Sequence, residues 1–86
     1  MLNSWGDEMQ ERFREKYRLL GLKIAYYRKK RGYTQEQFAE LIDKSWSFVS
    51  QVEANNGVKI KGVSLETLFT IAEKLDVPVD KFFIDD

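Results

Sequence analysis

The chain has 86 residues, with 14 Lys/Arg balanced by 14 Asp/Glu and neither cysteine nor histidine. That length suits one domain with a core of its own, and the missing residue types exclude a disulfide framework, thiolate or imidazole metal ligands and the usual general base. Nothing groups the remaining carboxylates, lysines and serines into a catalytic set, so no enzymatic activity, metal or cofactor is expected.

The opening stretch, MLNSWGDEMQERFREKYR, holds no apolar run long enough for a signal peptide or a membrane span, and a cytoplasmic protein with no membrane partner is expected. Asn3 and Ser4 are candidate caps for a helix beginning near Asp7, where Asp7 and Glu8 would sit at its positive end. Apolar residues then recur at Met9, Phe13, Tyr17, Leu20, Ile24 and Tyr27 in steps of three or four, one stripe reaching Arg31. Gly21 interrupts it at a cost of about 1 kcal/mol relative to Ala, which marks either close packing or a break. One long helix and two shorter ones both fit. The run Arg28-Lys29-Lys30-Arg31 favours a helix C-terminus, with Gly32 following as its cap. Residues 12 to 33 carry nine Lys/Arg against the single Glu15. Charges beyond about a Debye length, roughly 8–10 Å, are largely screened, so this basic stretch suits a polyanion although the whole chain is neutral.

The segment from Thr34 to Glu53, TQEQFAELIDKSWSFVSQVE, is the one around which the chain is organised. Thr34 and Gln37 form a capping-box pair, and Phe38, Ala39, Leu41 and Ile42 supply the apolar face of a short helix. Asp43-Lys44 breaks that period. Ser45 offers a second N-cap, after which Phe48, Val49 and Val52 carry a second helical period. Helices this short are unstable alone and must lean on each other, with small Ala39 at the crossing. Two such helices joined by a tight turn make a helix-turn-helix unit.

Beyond it, Asn56-Gly57 signals a turn, and Val58 to Lys61 reads as an extended loop with two lysines. Ser64 caps a further helix whose apolar face is Leu65, Leu68, Phe69, Ile71, Ala72 and Leu75. Asp76-Val77-Pro78 ends it, and Pro78 can start a last short helix through Phe83, with Val79, Phe82 and Phe83 as lid or dimer residues.

Thr34-Gln35, Ala39, Ser45, the run Ser47-x-Val49-Ser50-x-Val52-Glu53 and the run Ser64 to Leu68 together resemble the Cro/repressor-type (Xre-like) helix-turn-helix family. The resemblance implies an all-α, compact five-helix lambda-repressor-like DNA-binding domain over residues 19–86, with residues 1–18 as an N-terminal helical extension. That extension is either a solvated lead-in or a packing helix using Trp5, Met9, Phe13 and Tyr17.

The resemblance also implies a sequence-specific transcriptional regulator, a repressor, that inserts the helix 45–54 into the major groove of double-stranded operator DNA as a homodimer. No small-molecule ligand is evident. Base reading falls to Trp46, Ser47 and Gln51, with Ser50 at the margin. Contacts to the DNA backbone fall to Arg28, Thr34, Gln35, Ser45, Asn55, Asn56, Lys59 and Lys61. Among them Gln35 resembles a phosphate-clamping glutamine, and Arg28 resembles an arginine held by Glu53. The sequence departs from the family at Asp43, where glycine is preferred, at Lys44, usually apolar, and at Trp46, usually small, polar or basic. An exposed Trp46 beside Phe48, together with the N-terminal apolar stripe, also fits an alternative: a protein-interaction module on the same scaffold.

Overall fold

The computed structural model describes residues 12–55 and 60–84. Helices α1 (Arg14–Lys30), α2 (Gln35–Leu41), α3 (Trp46–Glu53) and α4 (Leu65–Leu75) are followed by a 3-10 helix, Val79–Phe83. The fold is all-α, and the fifth helical element is a 3-10 helix rather than an α-helix. Helix α1 runs unbroken through Gly21 and through residues 18 and 19, where the sequence places the boundary between extension and domain. The calls on Trp5 and Met9 lie outside the described residues, as do Asn56 and Lys59.

The caps read from the sequence close the helix starts. Thr34 Oγ1 accepts from the Gln37 N–H at 3.1 Å, and the Gln37 side chain accepts from the Thr34 N–H at 2.9 Å. Ser45 and Ser64 cap α3 and α4 by accepting from the Phe48 and Thr67 N–H groups at 3.0 and 3.1 Å. Each of these bonds satisfies a donor that the first helical turn leaves without a partner.

Three helices end in the same way, on a residue with left-handed backbone: Gly32 (φ 84°), Asp43 (φ 60°) and Asp76 (φ 56°). The next residue's N–H then reaches back to a carbonyl of the last turn. Tyr33 bonds the Arg28 carbonyl at 3.1 Å, Lys44 that of Ala39 at 2.9 Å, and Val77 that of Ala72 at 3.0 Å. This is the Schellman closure. Gly32 adopts it without a Cβ penalty, and Asp tolerates it better than most residues do. Asp43 thus makes the tight joint of the helix-turn-helix unit in the place where glycine is the usual choice.

Leu20, Ile24, Phe38, Ala39, Ile42, Val49, Val52, Leu68, Ile71, Ala72, Leu75, Val77 and Phe82 form a single buried core. Helix α1 packs on α3, α4 and the 3-10 helix, and α2 packs on α3. Ala39 is buried in this core on α2. Two expectations are corrected. Phe82 is a core residue, 1 % exposed, with its ring edge-on to Tyr27 at 5.4 Å, whereas Phe83 beside it faces outward. Leu65 and Phe69 lie on the outer side of α4, both more than half exposed, so the buried face of that helix is narrower than its apolar pattern suggests.

Helices α1 and α3 approach each other closely at Gly21. A Cβ at that position would fall well inside van der Waals contact of the Val52 carbonyl oxygen and 3.4 Å from Glu53 Cα. Of the two readings of Gly21, close packing is the one found. It sets the depth at which α3 sits on α1 and so the height of the outer edge of α3.

Candidate nucleic-acid interface

Val49 and Val52 pin α3 to the core, so helical geometry turns Trp46, Ser47 and Gln51 outward; all three are exposed, and Ser50 is half-buried beside them. Gln51 Nε2 donates to Ser47 Oγ at 3.3 Å. The sequence-based base-reading set therefore shares one edge of one helix.

Behind that edge runs a hydrogen-bonded chain with a forced polarity. Arg28 Nε and Nη2 donate to the two carboxylate oxygens of Glu53 at 2.7 and 3.0 Å, and Nη1 donates to the Tyr33 carbonyl at 2.7 Å. Both side chains are buried, 8 % and 6 % exposed. Gln35 Nε2 donates to Glu53 Oε1 at 2.9 Å, and Gln35 Oε1 accepts from the Trp46 indole N–H at 3.1 Å. A carboxylate only accepts and an indole N–H only donates, so the Gln35 amide has one permissible orientation. The chain joins α1, α2 and α3, and it leaves the second Gln35 amide hydrogen directed away from Glu53. The pairing of Arg28 with Glu53 is the one expected. Its burial is not: the guanidinium is spent on Glu53 and Tyr33 and braces the site from below.

The basic run at the end of α1 is likewise divided. Arg31 turns to α4 and donates to the Leu75 and Asp76 carbonyls at 2.7 and 3.0 Å, satisfying the negative end of that helix. Lys29 and Lys30 stay exposed, the latter with its ammonium 5.8 Å from the Tyr26 ring centre.

Positive charge gathers instead beside α3. The Lys44 and Lys61 ammonium groups each lie 5.5 Å from the Phe48 ring centre, within cation–π range. The half-buried Phe48 thus brings together a lysine from the α2–α3 joint and one from the α3–α4 loop. Lys61 was a candidate from sequence. Lys44 was missed, since a turn residue gave no sign of which ring it would reach. Thr34 and Ser45 remain exposed at the starts of α2 and α3.

Asn55 is a correction. It is 2 % exposed, and its amide grips the main chain of Lys61, accepting from the N–H at 2.8 Å and donating to the carbonyl at 3.1 Å, with a longer bond to the Tyr17 carbonyl. It shapes the loop that carries Lys61 instead of facing outward. Asn55→Ala removes a buried amide and both of its bonds to the part-buried Lys61 main chain, and it is expected to cost about 1–3 kcal/mol, read as a lower urea midpoint. A variant as stable as the parent would return Asn55 to the surface.

Among the described residues no helix is long and apolar enough to cross a membrane. A family model described as helix-turn-helix matches residues 24–82, which takes in the C-terminal part of α1, the α2–α3 unit, α4 and most of the 3-10 helix. No curated protein matches the chain. With the two caps, the left-handed joint and the buried valines all in place within the matched span, the chain belongs to the Xre-like helix-turn-helix family of DNA-binding regulators.

Proposed function

We propose that this protein is a sequence-specific transcriptional repressor that lays α3 in the major groove of an operator and binds as a homodimer. The observation that carries the reading is the arrangement around α3: an exposed edge of Trp46, Ser47, Ser50 and Gln51, flanked by the Lys44–Phe48–Lys61 cluster and by a Gln35 amide held in one orientation. Helix N-terminal residues reach base edges in such units while the preceding helix meets the backbone. Gln51 can pair with adenine through both its amide groups, and the serines are tolerant partners. Thr34, Gln35, Ser45, Lys44 and Lys61 are assigned to phosphates, with Arg28 acting on the backbone through Gln35. A homodimer follows from information content, because one short helix reads too few base pairs to find a site in a genome.

The test is selection from a random duplex library, followed by titration at several salt concentrations. One enriched inverted repeat is the expected outcome, and no enrichment would overturn the proposal. Lys44→Gln with Lys61→Gln is expected to weaken binding to every duplex alike and to lower the slope of log K against log salt by about 2, since each phosphate contact contributes about 0.9. An unchanged slope removes both lysines from the assignment. The alternative, a protein-interaction module built on Trp46, Phe48 and the N-terminal apolar stripe, has less support on this edge: Phe48 is half-buried between two ammonium groups, which leaves Trp46 as the exposed aromatic there.

A further inference from the structure

We infer that Trp46 recognises a 5-methylpyrimidine, in ordinary DNA a thymine, by contact with its C5-methyl group. The inference rests on the proposed base-reading role of α3 and specifies what this residue reads. An indole has one polar atom, the Nε1–H donor. Here that atom is already bonded to Gln35 Oε1 at 3.1 Å. Gln35 is in turn fixed by Glu53, and Glu53 by the buried Arg28. Turning the N–H toward a base would break the first link of a chain anchored in the protein interior.

The remaining indole surface is hydrocarbon, on a residue that is 54 % exposed. As the first residue of α3, directly after the Ser45 cap, it occupies the end of the helix that comes nearest to base edges. The major-groove edges of the four base pairs present donors and acceptors, and the apolar group that projects from them is the thymine C5-methyl. An apolar ring carried into that groove with its only donor facing away has one apolar partner there. Polar reading is left to Ser47 and Gln51, which lie along the same edge and are bonded to each other.

The same chain gives Trp46 a second, positioning effect, because its N–H holds Gln35 Oε1 and so orients the amide. The two effects separate experimentally. The probe is the duplex enriched from a random library, resynthesised with deoxyuridine replacing one thymidine at a time, which deletes the methyl group and leaves base pairing intact. Removal of one buried methyl group is worth about fourfold in affinity, so one thymine per half-site is expected to show a loss of about fourfold while the others show little. In Trp46→Ala that ratio falls to one. Trp46→Phe retains a ring but has no N–H, so it is expected to keep the thymine-to-uracil ratio while binding both duplexes more weakly, as Gln35 loses its partner.

An enriched sequence indifferent to deoxyuridine at every thymine would overturn the inference and leave the regulator reading standing. A uracil penalty that survives unchanged in Trp46→Ala would do the same. Failure to enrich any sequence would overturn both.

Discussion

Gly21→Ala is expected to destabilise the protein by about 2 kcal/mol or more, against the direction set by helix propensity. Within a helix, Ala is favoured over Gly by about 1 kcal/mol, and on that ground alone the substitution would raise stability. The new methyl group, however, would meet the Val52 carbonyl oxygen and the main chain of Glu53. Neither is the far end of a flexible side chain that can swing away, so α1 and α3 must separate. Overpacking of this kind costs roughly 1–3 kcal/mol and occasionally more, and displacement of α3 also strains the Arg28–Glu53 pair. For a domain of this size each 1 kcal/mol lowers Tm by about 4–8 °C, so a fall of roughly 10 °C or more is the expected reading in a thermal melt. A Tm equal to or above that of the parent would show that the two helices have more freedom to part than their packing implies.

Arg28→Met is expected to cost about 3–5 kcal/mol, the range for breaking a buried ion pair by removing one member. It leaves the Glu53 carboxylate buried with Gln35 as its remaining side-chain donor, and it strips the Tyr33 carbonyl of its partner. Adding Glu53→Met removes the orphaned charge, and the double variant is expected to recover most of the loss, because apolar replacement of a whole buried pair is often close to neutral. Urea melts of the parent, both single variants and the double variant give the coupling directly. DNA binding should not recover in full with stability, since Gln35 Nε2 has then lost Glu53 and only the Trp46 N–H still holds its amide. If the double variant regains affinity along with stability, Gln35 is oriented by something other than Glu53.

How much of this was legible beforehand depends on the range of the interaction. The caps at Thr34, Ser45 and Ser64 and the close of α1 at Gly32 involve residues within a few positions of one another, and residue type plus spacing specifies them, whereas the turn at Asp43 is legible through the family's preference for glycine there. Asp76 follows the same closure but was read only as a stop before Pro78. The buried faces of α2 and α3 were legible because Phe38, Ala39, Ile42, Val49 and Val52 keep a clean helical period.

What stayed hidden depends on where separate elements meet. The charge run from Arg28 to Arg31 looked like one basic surface, yet Arg28 is committed to a residue 25 positions away and Arg31 to carbonyls 44 and 45 positions away. Asn55 resembled a surface asparagine because nothing local reveals that it holds Lys61. The Lys44–Phe48–Lys61 cluster needs the α3–α4 loop to fold back, which no periodicity encodes. Leu65 and Phe69 follow the helical apolar pattern yet are more than half exposed, because a period does not say which apolar positions another element covers.

The left-handed joint at Asp43 has a consequence for how such a protein can change over generations. The joint is closed by main-chain bonds and α3 is seated by two valines, so neither depends on what stands at the exposed positions 47 and 51. Substitutions there can accumulate without disturbing the seat of the helix, and under the proposed function a lineage could drift from one operator to another at little cost to its scaffold. Position 46 lacks that freedom. Its indole is tied through Gln35 to Glu53 and Arg28, so under the proposed function a change of residue there would alter the grip on the backbone together with the base preferred, and compensating changes at Gln35 would have to accompany it.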